Sequence, residues 1–423
     1  MADVRHIKES KWYAWLVVVL LSMVALLNYL DRQVLSTMRE SIAVDIQALQ
    51  DMENFGMLMA VFLWIYAFLS PVAGGFADRF SRKWIIVGSL GVWSAITLGM
   101  GFCTTFEQML VLRAIMGVSE ALYIPAGLAL ITEYHTGKTR SLATGIHMIG
   151  LYLGQALGGF GATVAHHLSW QETFHWFGVI GVAYAVLLSI VLMDKRTVSG
   201  KKATADVVVA KVPVMTGLKR LFGTSAFWVI LVMFAAPSLP GWAVRNWLPT
   251  LFAENLGVDM MQAGPMSTIS IAASSLVGVI IGGVLSDKWV MSNLRGRVYT
   301  SAIGLALTIP ALVLVGIGST TLAIVGAALC FGIGYGLFDA NNMPILCQFV
   351  PDSLRSTAYG FMNFVGVLAG AVVTQVLGAW AQEGHLGIGF AVLAGVVLLA
   401  LILQIVFLRP KAIDMTNQEF YQK

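Results

Sequence analysis

Twelve apolar runs, each about long enough to cross a bilayer as a helix, constrain this chain more than any other feature of its sequence. They lie near 12–38, 54–77, 83–103, 106–134, 140–165, 173–193, 226–253, 263–288, 297–317, 320–350, 355–382 and 386–409. Hydrocarbon offers no hydrogen bonds, so a spanning segment must satisfy its backbone internally, and each run is expected to be a helix. Hydrophobic residues make up 58% of the chain and charged ones 11%, a balance that excludes a water-soluble globular protein. The fold class expected is an all-α membrane protein of twelve transmembrane helices. The first run lacks a small-residue cleavage site and leads into Asp31-Arg32, so it is expected to remain as a span.

The basic residues orient these spans. With the N-terminus inside, bearing Arg5, Lys8 and Lys11, the inside loops carry Arg79, Arg82 and Lys83; Lys138 and Arg140; Lys195 to Arg220; Lys288, Arg295 and Arg297; and Arg355, and the tail adds Arg409, Lys411 and Lys423. Of the 26 Lys and Arg residues, only Arg32, Arg39, Arg113 and Arg245 fall elsewhere. Both termini are therefore expected in the cytoplasm, and the short loops without Asn-x-Ser/Thr sequons favour a bacterial inner membrane. The longest polar linker divides the chain into an N-terminal six-helix bundle (1–193), a cytoplasmic linker (194–225) and a C-terminal six-helix bundle with a short tail (226–423). Two echoes point to duplication of the half. Gly74-Gly75-Phe76-Ala77-Asp78-Arg79 closes the second span and Gly283-Val284-Leu285-Ser286-Asp287-Lys288 the eighth. Arg140-Ser141-Leu142-Ala143-Thr144-Gly145 opens the fifth and Arg355-Ser356-Thr357-Ala358-Tyr359-Gly360 the eleventh.

The Gly74–Lys83 stretch resembles the loop signature between helices two and three of the major facilitator superfamily. With the twelve spans and the repeat, the resemblance covers the whole chain. It implies two pseudo-symmetric six-helix bundles about a cavity that opens alternately to either side. Asn28-Tyr29-Leu30-Asp31-Arg32 resembles the first-helix motif of the anion:cation symporters, which include sugar-acid and sialin-type carriers, and equally that of Spinster-type transporters. Arg113-Ala-Ile-Met-Gly117-Val-Ser-Glu120-Ala121 resembles the fourth-helix motif of both. The resemblance implies proton coupling for the matching acids, Asp31 and Glu120. It implies substrate or gating contacts for Arg32 and Arg113, and a conformational latch at Asp78, Arg79, Arg82 and Asp287. Plain topology charge is the alternative for the latch.

Charge balance gives the four intramembrane groups an independent meaning. Ionised residues in a span are costly and should face the bundle interior. Arg113 and Glu120 are seven residues apart, two turns along one helix face and about 10 Å along its axis, too far for a direct pair. Each should find a partner across the bundle, on Asp31 or Arg32. Two acids and two arginines cancel, so an added monovalent anion would be buried without compensation unless one carboxylate took a proton first. Proton-coupled symport of a small organic anion, such as a sugar acid gripped by an arginine fork, follows from that balance. Depth in its span points to Glu120 for the main proton, with Asp31 as a coupled second site. The alternative is a closed ion network that only fixes helix packing.

Further polar residues within spans are candidates for substrate contact. They are Tyr29 in the first; His147, Tyr152 and Gln155 in the fifth; Arg245 and Asn246 beside Trp242 in the seventh; and Asn341 and Asn342 beside Asp339 in the tenth. A packing role is the alternative for His147, and a cap on a kink near Pro344 for the tenth-span group. Pro237, Pro240 and Pro249 are expected to break the seventh span, as in helices that line transport cavities. These polar groups tilt the reading towards a sugar acid, with a Spinster-like lysophospholipid carrier or a carrier of a neutral sugar or oligosaccharide as alternatives. Gly332-Ile-Gly334-Tyr-Gly336 lies within an apolar span with no strand before it, so it reads as helix packing and not a nucleotide loop. Cys103, Cys330 and Cys347 form no metal or disulfide pattern, and His166, His167 and His175 lack nearby acids at ligand spacing. No enzyme activity, cofactor, metal or nucleic-acid partner is expected. The partners expected are a small anionic substrate, protons and the lipid bilayer, with the chain acting as a monomer.

Overall fold

The computed structural model describes residues 11–135, 139–194, 214–351 and 354–416, apart from the side chains of 74–79, 141, 214–216, 218 and 356. The first half runs through α1 (Lys11–Asp45), α2 (Met52–Arg79), α3 (Arg82–Met100), α4 (Phe106–Ala121), α5 (Tyr123–Tyr134), α6 (Arg140–Gly158), α7 (Gly161–Leu168) and α8 (Trp170–Val191). The second half holds α9 (Val214–Phe222), α10 (Ser225–Leu256), α11 (Met260–Val290), α12 (Gly296–Ile317), α13 (Thr321–Asp339), α14 (Asn342–Phe349), α15 (Arg355–Gln382) and α16 (Leu386–Phe407). Among the described residues eleven helical segments are long and apolar enough to cross a membrane, with α4–α5 and α13–α14 each counted as one, or twelve if α6 and α7, bent by 50° at their junction, form one span. Large apolar side chains such as Ile190 and Leu322 stand exposed, as suits a surface facing lipid.

Proline explains where two of the spans are interrupted. Pro125 and Pro344 each sit in the first turn after a break, and neither can donate the bond that would continue the preceding helix. The fourth span is thus divided at Leu122 and the tenth at Ala340-Asn341. The seventh span behaves otherwise and corrects the expectation of a proline-broken helix. Pro237, Pro240 and Pro249 all lie inside one continuous α10. Its packing along α15 holds it through these missing donors: Asn246 Nδ2 donates to Thr374 Oγ1 at 2.8 Å and Trp247 Nε1 to Thr374 O at 3.0 Å.

Contacts divide the chain into one unit of Met1–Thr204 with Met260–Thr268, and another of Ala205–Asp259 with Ile269–Lys423. The opening turns of α11 therefore belong with the first unit, where Thr268 Oγ1 donates to Ala156 O at 3.1 Å. Each unit repeats one pairing scheme. Span one packs on span five as seven packs on eleven, and three packs on six as nine packs on twelve. Glycine makes the closest of these contacts. On α6, a Cβ at Gly150 or Gly154 would fall on the backbone carbonyls of Ser22 and Leu26, and one at Gly158 on Gln33. Small residues spaced by four let two backbones touch where hydrocarbon offers no hydrophobic drive to associate. That stripe sets the position of α1, the helix that carries Asp31 and Arg32.

Gly154→Val is expected to separate α1 from α6. Overpacking of a close contact costs about 1–3 kcal/mol, so the apparent Tm of detergent-purified protein should fall clearly below that of Gly145→Val, whose site is open. Equal melting of the two variants would sink the account of the stripe.

Candidate functional site

Asp31 and Arg32 are neighbours in sequence but, on a helix, successive side chains diverge by roughly 100°. They consequently serve different partners. Arg32 turns towards α2 and α4, where its Nε donates to Glu120 Oε2 at 2.6 Å. Three rings surround its guanidinium, with Tyr29, Phe62 and Tyr66 centred 5.1, 4.8 and 5.1 Å from Cζ. A ring face attracts a cation most strongly when water is excluded, and Glu120 is fully buried. Ion pairing and aromatic faces together offset the cost of taking both charges out of water.

Asp31 has a weaker setting. It is buried, and Thr97 Oγ1 on α3 donates to its Oδ2 at 3.1 Å while also meeting Trp93 O at 3.1 Å. Arg113, also buried, lies with its Cζ 4.8 Å from the Phe62 ring centre, so one phenyl ring serves both arginines. Its Nη1 lies 3.3 Å from Met116 Sδ. Asp31 and Arg113 interact electrostatically, yet among the described residues neither forms an ion pair. The first unit therefore contains one closed couple, Arg32–Glu120, and one open couple, Asp31 and Arg113. Around them, Arg32 Nη2, Arg113 Nε, Glu120 Oε1 and both amide atoms of Asn28 are buried without a protein partner among the described residues.

The remaining candidates divide by what holds them. Tyr29 belongs to the ring set around Arg32. His147 is buried, and its Nε2 lies 2.9 Å from Tyr123 Oη, which donates its own proton to Leu21 O at 2.8 Å. The histidine must then donate from Nε2 into the phenol oxygen, while its Nδ1 is buried without a protein partner among the described residues. Gln155 is buried and Tyr152 half-buried on the same helix. Asn246 is tied to Thr374, as above, while Arg245 sits 5.0 Å from the Trp242 ring centre and 6.0 Å from that of Tyr335. Asn341 Nδ2 donates to Leu337 O at 2.8 Å and Asn342 Nδ2 to Asp339 Oδ1 at 3.1 Å, so both serve the break ahead of Pro344.

Of the residues expected to form a latch, the side chains of Asp78 and Arg79 lie outside the described residues. Arg82 pairs with Glu133 at 2.6 Å and donates to Ala129 O at 2.8 Å. Asp287 meets Arg297 at 3.9 Å, and Asp414 in the tail meets Arg297 and Arg355 at 3.9 and 3.7 Å. Arg297 Nη1 also lies 3.4 Å from Pro344 O, so both halves tie an arginine to a carbonyl of the interrupted span.

Sequence reasoning missed Phe62, Tyr66 and Thr97. Aromatic residues and threonines are common in apolar spans, and only helix packing selects these three. Among the described residues no group of three His, Cys, Asp or Glu side chains is placed to hold a metal ion.

Comparison with known proteins gives this geometry a family. The profile of the Major Facilitator Superfamily matches residues 21–374. The chain is 23% identical over 407 residues to the probable galactarate/D-glucarate transporter GarP of Escherichia coli K12, covering 89% of this chain and 90% of that protein. It is 26% identical over 408 residues to the D-galactonate transporter of Escherichia coli O6:H1, again covering 89% and 90%. Among solved structures it resembles the crystal structure of a bacterial homologue of the human lysosomal transporter Spinster, in an inward-facing and occupied conformation. The TM-score is 0.78 at 18% identity, over 94% of this chain and 97% of that one.

Breaking a buried ion pair from one side costs about 3–5 kcal/mol because the other charge is stranded. Glu120→Gln and Arg32→Gln should each lower the apparent Tm, and the double variant should lose less than the sum of the two. A coupling energy near zero in that cycle would show that Arg32 and Glu120 do not form a pair.

Proposed function

The chain belongs to the Major Facilitator Superfamily, and from that premise we propose that it is a proton-coupled symporter of a small organic anion of the sugar-acid class. It is a secondary transporter and an integral membrane protein of multiple spans. The observation that carries the finer reading is the open couple inside the first unit. Arg113 is buried with no carboxylate bonded to it among the described residues, and Asp31 is buried with only a hydroxyl. An ionised Asp31 offsets the charge of Arg113 at a distance. A proton on Asp31 removes that compensation, and the stranded guanidinium then favours an anion, whose planar carboxylate its fork can grip. Proton and anion thus promote each other's binding, which is the linkage a symporter needs.

Within this proposal Asp31 takes the coupling proton first and Glu120 is its coupled partner. Depth alone favoured Glu120, but Glu120 is engaged by Arg32 at 2.6 Å, whereas Asp31 is met by the Thr97 hydroxyl. Tyr29, Phe62 and Tyr66 keep Arg32 in place, while Arg82 and Asp287 stand in cytoplasmic clusters suited to latching. Similarity to a probable galactarate/D-glucarate transporter and to a D-galactonate transporter supports the substrate class. The loop charges support cytoplasmic termini in a bacterial inner membrane.

Purified protein in liposomes with an inward-acid gradient tests this. For one proton per monovalent anion, a gradient of about 1 pH unit sustains roughly tenfold accumulation. D-galactonate, a monovalent anion, should accumulate and should leak back when a protonophore is added. Asp31→Asn should keep exchange of labelled substrate across the membrane but lose accumulation driven by the gradient. Movement of a lysophospholipid alone, or accumulation that survives in Asp31→Asn, would overturn the reading.

A further inference from the structure

The two buried acids of the first unit differ in the kind of group that meets them. Glu120 Oε2 accepts from the guanidinium of Arg32, which has donors only. A proton on that oxygen would set two hydrogens against each other and break the contact. Asp31 Oδ2 accepts instead from a hydroxyl, Thr97 Oγ1, at 3.1 Å. A hydroxyl carries one hydrogen and can also accept. Thr97 Oγ1 has a second acceptor in reach, the carbonyl oxygen of Trp93 one turn earlier on α3, at the same 3.1 Å. A helical threonine can make this bond because its partner carbonyl has two lone pairs and the helix uses one. Thr97 and Trp93 are both buried.

From this geometry we propose that Thr97 is a positioning residue for the proton of Asp31, its hydroxyl turning between Asp31 Oδ2 and Trp93 O to serve both protonation states of the acid. With Asp31 ionised, Thr97 donates to Oδ2. When a proton settles on Oδ2, the acid donates to Thr97 Oγ1, and the hydroxyl's own hydrogen turns to Trp93 O. The added proton stays on Asp31, and no heavy atom has to move. Asp31 can thus load and unload without stranding a buried polar atom, which is costly. The two states are not served equally. A hydrogen bond to an ionised oxygen is roughly twice as strong as a neutral one, so the hydroxyl on balance favours the ionised form and eases release of the proton.

The other charged groups around Asp31 are fixed elsewhere or act at a distance. Arg32 on its own helix is paired with Glu120. On α4, Glu120 and Arg113 act on Asp31 electrostatically, and Glu107 lies in the first turn. On α3, Arg82 and Lys83 open the helix, and Arg82 pairs with Glu133 at the far end of α5. On α6, Arg140 opens the helix and His147 meets Tyr123. His166, His167, Glu172 and His175 gather about the junction of α7 and α8, and Tyr184 of α8 donates to Leu20 O. That a proton on Asp31 drives transport rests on the symport reading above; the effect of Thr97 on that proton does not.

Carbodiimide labelling of the full-length protein tests the proposal, because dicyclohexylcarbodiimide reacts with protonated carboxyls in apolar surroundings. Peptide mapping by mass spectrometry follows the Asp31 adduct from mildly acidic to mildly alkaline pH, where labelling should fall about tenfold per pH unit above its midpoint. Thr97→Val removes the hydroxyl at nearly the same shape and should carry the midpoint up by about 1 pH unit. Thr97→Ser restores a hydroxyl and should return the profile to that of the parent. A Thr97→Val profile that overlays the parent's or moves down, or a shift that Thr97→Ser fails to reverse, would overturn the proposal and leave the symport reading standing. D-galactonate accumulation that survives in Asp31→Asn, with the Thr97→Val shift present, would remove the symport reading alone. An Asp31 that takes no label at any pH would remove both.

Discussion

A guanidinium inside a helical bundle in hydrocarbon persists only where an anion or a polarised ring face meets it. Arg32 satisfies that demand twice over, through Glu120 at 2.6 Å and through Tyr29, Phe62 and Tyr66. The rest of the first unit can be read as the means of keeping those groups together. Glycines on α6 bring α1 into backbone contact, and the interruption at Leu122 places Glu120 at a helix end. The Phe62 ring then serves two cations that repel each other across an apolar interior.

Such a cluster stores a choice instead of a fixed charge. The closed couple anchors, since opening it strands two buried ions. The open couple of Asp31 and Arg113 can change its charge by one proton without breaking a bond. In the second unit Asp339, at the matching place before the break in span ten, accepts from Asn342 Nδ2 at 3.1 Å.

Much of the fold was legible in the chain because hydrocarbon leaves so few options. Segments that cannot bond to water must be helices, and the positions of lysine and arginine between them follow. Asp31, Arg32, Arg113 and Glu120 stood out for the same reason: an ionised residue in an apolar run is rare enough to demand a partner. Prolines were read less well. Pro237, Pro240 and Pro249 resembled a broken span, yet α10 is continuous, while Pro125 and Pro344 mark the true interruptions. A proline removes one donor wherever it stands, and neighbouring helices settle whether the helix continues. The same limit hid Thr97, Phe62 and Tyr66, ordinary residues that packing selects.

The sequence by itself determined the class of molecule, the number of its spans, its internal repeat and the identity of the charges that must be buried. Those properties depend on solvation and on local periodicity, which each segment carries independently. Which charge meets which was decided only by the tertiary structure. Asp31 and Arg32 are adjacent in the chain and face apart on the helix, whereas Arg32 and Glu120 come from different spans and touch. Coulombic and hydrogen-bond energies change steeply over a few ångströms. Such distances are set by how helices pack on their glycines and turn at their breaks, and no single span contains that information.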